Sequence, residues 1–281
     1  MRIGIFAKAF DGTDPASVFA QVAQAGYETV QYNLACSGLP SMPDAIPADT
    51  AMAVASAAAA AGVEVAAVSG TYNMIHPDPA VREAGLARLE RLAAACRAMT
   101  APLITLCTGT RDATDQWRHH PDNAGAEAWR DLLASMERAV RTAEKHGVDL
   151  GVEPELANVV SSAGRARALL DEIASPRLKI VLDPANLFEV ETPERRRGIV
   201  AQAVDLLADR IAMAHAKDRT ATGAFTTAGR GVIDFRHFTG LLRDAGFRGP
   251  LVTHGLEARD APEVAAFLRD VLAGADTARP A

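Results

Sequence analysis

The chain has 281 residues, of which 49% are hydrophobic and 23% charged, a composition typical of a globular protein that buries a core without disulfides. Its formal charge of −6 argues against binding nucleic acid through a basic surface, and three scattered cysteines argue against a disulfide framework. The N-terminus lacks a signal-peptide pattern, and the most apolar segment, 51–61, is too short to cross a bilayer. We therefore expect a cytoplasmic protein with neither a membrane nor a nucleic-acid partner.

Short apolar or β-branched runs alternate with segments of helical periodicity along almost the whole chain, which indicates βα units and a parallel sheet. Gly62 and Gly147 stand where a left-handed helix C-cap belongs, just before a predicted strand. The helical segments are 17–25, 51–61, 80–98, 126–146, 164–174, 193–207, 235–245 and 262–272. Eight strands are predicted, at Ile3–Phe6, Thr29–Tyr32, Glu64–Val68, Leu103–Leu106, Asp149–Glu153, Lys179–Leu182, Ile211–Ala214 and Leu251–Thr253.

This repeat predicts an α/β protein that is a single (β/α)8 barrel over residues 1–275, followed by an unpatterned, disordered tail over 276–281. A doubly wound open sheet is the rival fold, but it typically carries a glycine-rich phosphate loop after the first strand. The segment FAKAFDG at 6–12 has no such loop. In a barrel, the loops that follow the strands share the C-terminal face, so we expect the functional residues there.

Four ionisable residues follow the last four predicted strands at intervals of roughly one βα repeat: Glu153, Asp183, His215 and Glu257. Each alone is compatible with a solvated loop. Together they form a hard, mostly anionic ligand set, for which Mn²⁺ is the first choice and Mg²⁺, Co²⁺ or Zn²⁺ are alternatives. A cation would also relieve the repulsion among three neighbouring carboxylates. The sequence therefore predicts one divalent metal ion at the barrel mouth.

Five segments carry a family resemblance: GVEPELANVV from Gly151, PRLKIVLDPANLF from Pro176, HAKD from His215, GRGVIDF from Gly229 and HGLEA from His254. They resemble the sugar phosphate isomerase/epimerase superfamily of xylose isomerase-like TIM barrels, which includes ketose 3-epimerases and inosose dehydratases. The similarity covers nearly the whole chain. These segments are specific for the superfamily but only weakly indicate the substrate.

The resemblance implies roles for the four ligands. In the ketose 3-epimerases one metal is held by Glu, Asp, His and Glu, which map onto Glu153, Asp183, His215 and Glu257, and the two glutamates act as an acid/base pair. Such chemistry is reasonable, because a metal that polarises a carbonyl acidifies the adjacent C–H and stabilises an enediolate. Carboxylates within reach can then move the proton.

Further residues are predicted to contact substrate. Asn186 stands where those epimerases carry a substrate-contacting histidine, and Glu155 has the strand parity of Glu153, so it could also compete with Glu153 as a ligand. His254 has parity opposite to Glu257 and is predicted to point away from the barrel axis. The remaining substrate candidates, each with a local structural role as its alternative, are Lys8, His76, His120, Lys217 and Arg230.

Four functions fit these residues. The first is a metal-dependent isomerase or epimerase of a sugar, keto-sugar or sugar phosphate. The second is a dehydratase or lyase acting on a keto-sugar, inosose or 3-keto-glycoside, because the same enolate can expel a β-substituent. A metal-dependent DNA-repair endonuclease is disfavoured by the acidic charge, and a non-catalytic ligand-binding barrel is the remote alternative. Relatives suggest a homodimer or homotetramer.

Overall fold

Each barrel strand is a short run of apolar and β-branched side chains, and a helix follows each one and packs on its outer face. The computed structural model describes residues 1–276, with side chains to residue 274; of the predicted tail, 277–281 lie outside the described residues. The barrel strands are β1 Arg2–Phe6, β2 Thr29–Tyr32, β3 Glu64–Ser69, β4 Leu103–Leu106, β5 Asp149–Val152, β6 Leu178–Leu182, β7 Ile211–Ala216 and β10 Pro250–Thr253.

The eight strands form one closed parallel sheet in the order β1-β2-β3-β4-β5-β6-β7-β10, and β10 pairs with β1. This closure confirms the predicted (β/α)8 barrel, and each predicted strand matches an observed one to within two residues at either end. A two-stranded antiparallel hairpin, β8 Asp218–Arg219 and β9 Phe225–Thr226, was not predicted. Strands of two residues are too short to show a period-two pattern.

The helices are α1 Pro15–Gln24, α2 Ala48–Ala61, α3 Pro79–Cys96, α4 Ala126–His146, α5 Ala163–Ile173, α6 Pro193–Leu207, α7 Phe235–Asp244 and α8 Ala261–Asp276. Several begin where the sequence supplies a capping side chain: Asp78 and Ser162, for example, accept a hydrogen bond from a first-turn N–H. Gly62 and Gly147 end α2 and α4 in the left-handed conformation, as predicted. No helix in the described part of the chain is long and apolar enough to span a membrane.

Two apolar layers hold the barrel together. The larger layer packs the helices on the outer strand faces. The smaller one fills the barrel interior with Ala67, Leu103, Val181, Met213 and Val252. Since side chains alternate along a strand, the residues two positions further on also point inward, one layer closer to the C-terminal mouth. That next layer is polar, and it contains the candidate site.

Candidate metal centre

The polar layer contains four side chains that converge on one point at the barrel mouth. Glu153, Asp183 and His254 each come directly after the last residue of a strand, and His215 lies near the end of β7. One ligand atom from each residue lies within 4.8 Å of the ligand atoms of the others. Asp183 lies two residues beyond the inward-facing Val181, as His215 lies beyond Met213 and His254 beyond Val252. Barrel geometry thus brings together residues as far apart in the sequence as Glu153 and His254, which are 101 positions apart.

His215 is oriented by contacts on both ring nitrogens. Its Nε2 lies 2.8 Å from Oε1 of Gln31, and Gln31 in turn donates from its Nε2 to Oγ1 of Thr105 at 3.2 Å. A carbonyl oxygen can only accept, so Nε2 of His215 carries a proton. Nδ1 then faces Oε1 of Glu153 at 3.1 Å. Two buried acceptors at this distance need a cation or a proton between them, so the geometry fits a metal ion held through Nδ1.

Asp183 is fully buried beside two basic groups. Its Oδ2 lies 3.1 Å from Nε2 of His254 and 3.5 Å from Nζ of Lys217, while Oδ1 accepts the backbone N–H of Ala185. Burial alone raises the pKa of Asp183, but the Lys217 ammonium and the hydrogen bond from His254 hold that pKa below its usual range. Asp183 is therefore ionised and able to bind a cation.

Glu153 and Glu155 have opposite pKa shifts. Burial raises the pKa of Glu153, yet the positive charge and hydrogen bond that His215 supplies with a proton on Nδ1 outweigh burial and hold that pKa below its usual range. Burial and the negative charge of Glu153 raise the pKa of Glu155 to about 8. Asn186 donates from Nδ2 to Glu153 at 2.8 Å and to Glu155 at 3.3 Å, so it bridges the two carboxyl groups.

The fourth donor in the structure differs from the one expected from sequence. Glu257 lies four residues beyond β10, its side chain is 69% exposed, and it pairs with Arg259 at 2.9 Å. His254 occupies the position that Glu257 was expected to fill, and its ring lies 4.5 Å from that of His215. The inward-facing Val252 sets the parity of β10, so His254 points toward the axis rather than away from it. In the structure, the fourth member of the cluster is therefore His254 and not the predicted Glu257.

A cavity of about 500 Å³ opens above the cluster. Glu153, His215 and His254 form part of its floor, and Lys8, Glu155 and Lys217 line its walls. Trp117, from the loop after β4, and Phe225, from the hairpin, lie at its rim and are about half exposed. This volume is within the range of about 300–1,000 Å³ that small-molecule pockets occupy.

Four of the predicted substrate residues do not line this cavity, and one of them is Asn186, which is buried against Glu153 and Glu155. The ring of His76 contacts the carbonyl of Ala113 and the N–H of Asp78, which ties two loops together. His120 caps a short 3-10 helix and lines a separate surface cavity. Arg230 pairs with Asp260, directly before α8, and with Glu263 on α8. Each therefore has a local structural role, and their predicted substrate contacts have no support in this geometry.

Asp218 holds together the loop that follows β7, whose residues Lys217 and Phe225 line the cavity. It is buried, and its two carboxylate oxygens accept backbone hydrogen bonds at 2.8–3.1 Å from Arg219, Gly229, Gly231 and Ile233. Gly231 has to be a glycine here, because a Cβ atom would lie 2.1 Å from the carbonyl oxygen of Arg219. The carboxylate thus joins the hairpin to the GRGVIDF segment.

We expect Asp218→Ala to lower the free energy of unfolding by about 3 kcal/mol, because buried N–H groups lose their acceptor. Denaturant unfolding of the metal-free protein measures this change. Arg230→Ala is the matched control in the same loop, and its exposed ion pairs should contribute less than about 1 kcal/mol. Equal losses in the two variants would contradict the role assigned to Asp218.

Comparison with known proteins identifies the family. The family model of the xylose isomerase-like TIM barrel matches residues 19–272, so the chain belongs to that family. Comparison with curated protein sequences gave no match.

Solved structures share the fold at low sequence identity. An L-ribulose 3-epimerase superimposes with a TM-score of 0.78 at 18% identity, covering 98% of this chain and 96% of the other. The 3-keto-D-glucoside 4-epimerase of E. coli gives 0.76 at 17%, covering 96% and 99%. D-psicose 3-epimerase of Clostridium cellulolyticum gives 0.73 at 19%, covering 97% and 99%. At these identities the likeness establishes the barrel fold alone.

Proposed function

We propose that the protein is a divalent-metal-dependent isomerase or epimerase that transfers a proton next to a carbonyl group of a sugar. The observation that carries this proposal is the cluster of Glu153, Asp183, His215 and His254, whose ligand atoms lie within 4.8 Å of one another below a cavity of about 500 Å³. The sugar epimerases among the structural neighbours support the assignment by analogy.

Different residues of the site would serve different parts of this proton transfer. A divalent ion, when bound, would polarise the carbonyl oxygen of the substrate and so acidify the neighbouring C–H. Glu153 is ionised and faces the cavity, which suits it to accept that proton. Lys217, which lines the cavity 3.5 Å from Oδ2 of Asp183, offers a positive charge to a developing oxyanion. Asn186 fixes Glu153 and Glu155, and Glu155 is placed to bind a substrate hydroxyl.

The charges around the cavity favour an unphosphorylated substrate. Among the described residues that line it, the cations are Lys8 and Lys217, and Lys217 already faces Asp183. Three arginines of the surrounding loops are paired with carboxylates: Arg111 with Asp131, Arg118 with Asp112 and Arg230 with Asp260. Arg219, in the hairpin, is buried and donates to the carbonyls of Ala185 and Gly223. Phosphate sites typically use arginine forks or clustered backbone N–H groups. A neutral sugar is therefore the better fit.

An elimination reaction is the second candidate, and Glu155 is the observation that favours it. A reversible epimerisation is served well by two similar carboxylates, whereas here Glu153 is ionised and the pKa of Glu155 is raised to about 8, so Glu155 keeps its proton near neutral pH. Glu155, which lines the cavity, can deliver that proton to a leaving oxygen after Glu153 has removed the α-proton. The product would be an unsaturated keto-sugar and water or an alcohol.

Incubation in D₂O with a panel of ketoses, inososes and 3-keto-glycosides, each tested with its phosphate ester where one exists, tests the proposal. We expect metal-dependent incorporation of one deuterium next to the carbonyl, with a neutral sugar reacting faster than its phosphate. Mass spectrometry of the product separates the two candidates, since epimerisation keeps the heavy-atom composition and elimination loses water or an alcohol. Chelated protein is the control. Exchange that persists without metal, or that occurs with no member of the panel, would overturn the proposal.

A further inference from the structure

The donor set of the cluster differs in kind from the one predicted from sequence. The prediction of Mn²⁺ depended on three carboxylates and one imidazole, whereas the structure brings together two of each. We propose that His254 directs this centre toward borderline ions of the Zn²⁺ and Co²⁺ type and away from Mn²⁺ and Mg²⁺. This inference deepens the proposed function, because it names the class of metal on which that function depends.

Both imidazoles are placed to bind through one nitrogen. Oε1 of Gln31 accepts a hydrogen bond from Nε2–H of His215, which leaves Nδ1 facing the cluster. His254 presents Nε2 to the same point, 3.1 Å from Oδ2 of Asp183. The two rings are inclined by 51° with their centroids 4.5 Å apart, so both can direct a nitrogen toward one ion without overlapping.

The position of His254 is fixed by the barrel. His254 follows directly after Thr253, whose hydroxyl donates to the carbonyl of Ala216 on the neighbouring strand β7. Only 20% of the His254 side chain is exposed. A donor held this firmly requires little reorganisation on metal binding, and it resembles Asp183 and Glu153 in its placement at a strand end.

The chemistry of the donors then decides the preference. Carboxylate and water oxygens suit Mg²⁺ and Mn²⁺, whereas imidazole nitrogen suits Zn²⁺, Co²⁺ and similar ions, whose binding has more covalent character. Exchanging a carboxylate for a neutral imidazole also removes one negative charge. The lost charge weakens the binding of hard ions, which depends mainly on charge, more than the binding of borderline ions.

Competition with a fluorescent chelator, using Zn²⁺, Co²⁺ and Mn²⁺ as the probes and no substrate, measures this preference. We expect His254→Glu to reduce the ratio of the Mn²⁺ dissociation constant to the Zn²⁺ dissociation constant by at least about tenfold relative to the unmodified protein. The d–d absorption of the Co²⁺-loaded protein should change at the same time, because a nitrogen donor becomes an oxygen donor. His237→Glu, which adds the same charge on α7 outside the cluster, should leave the ratio unchanged.

Two further results keep the inference separate from the proposed function. If His254→Glu does not fold, as judged by circular dichroism, His254→Gln should still lose more Zn²⁺ affinity than Mn²⁺ affinity. A ratio that stays within about twofold of the unmodified protein in the folded variant overturns the inference, as does failure of the protein to bind Zn²⁺. The proposed function fails on a different observation, namely a metal-loaded protein that exchanges no substrate proton.

Discussion

Glu153→Gln should lower the rate of α-proton exchange by at least about a thousandfold, within the range of 10²–10⁴ that general acid–base catalysis contributes. Glutamine keeps the size of the side chain and an oxygen near His215, so the barrel should fold normally. It cannot accept the substrate proton, however, because an amide is not a base near neutral pH. Exchange is measured by NMR in D₂O at saturating metal, so that weaker metal binding does not limit the rate.

Glu257→Gln is the matched control for this prediction. Glu257 is exposed and pairs with Arg259 away from the cluster, so exchange should stay within about twofold of the unmodified protein and unfolding should shift by less than about 1 kcal/mol. The opposite pattern, loss of exchange in Glu257→Gln with little change in Glu153→Gln, would restore the assignment made from sequence. It would also require the segment after β10 to rearrange around the substrate.

The barrel could be predicted from sequence because its signals are local. Each strand is a short apolar run, each helix has its own periodicity, and capping residues such as Asp78 and Gly147 mark the boundaries. Eight repeats of one unit favour closure into a barrel, and the missing glycine-rich loop after the first strand argues against an open sheet. The hairpin at β8 and β9 could not be predicted in this way, because it depends on the four hydrogen bonds that Asp218 accepts from residues up to fifteen positions away.

Only part of the metal cluster can be predicted from sequence in the same way. Glu153 and Asp183 are the first residues after a strand, and the same rule selects His254 on the last strand. Alternation counted from Glu257 predicts that His254 points outward, whereas alternation counted from the inward-facing Val252 places His254 inside the barrel. No sequence pattern predicts the role of Gln31, because that role depends on a hydrogen bond with His215. His215 lies 184 positions away, on a strand that is not adjacent to the strand of Gln31.

Asp183→Asn should lower metal affinity by at least about a hundredfold. Changes to residues that only support a ligand cost up to about that much, and loss of a ligand should cost more. Asparagine preserves the shape and the acceptor for the N–H of Ala185, but it removes the negative charge at Oδ2. Lys217, whose side chain is only 9% exposed, then lacks its counterion and also repels an incoming cation. Isothermal titration with Zn²⁺ and Mn²⁺ measures the loss.

The same substitution should destabilise the metal-free protein by about 3 kcal/mol, because breaking one side of a buried ion pair leaves an uncompensated charge. The double variant Asp183→Asn with Lys217→Met separates the two effects. Removing both charges should recover most of the stability in denaturant unfolding, since a buried pair replaced as a whole is close to neutral. Metal affinity should remain low, because no carboxylate has been returned. Recovery of metal binding in the double variant would mean that Lys217, rather than the missing ligand, had prevented binding, and Asp183 would then be a partner of Lys217 instead of a ligand.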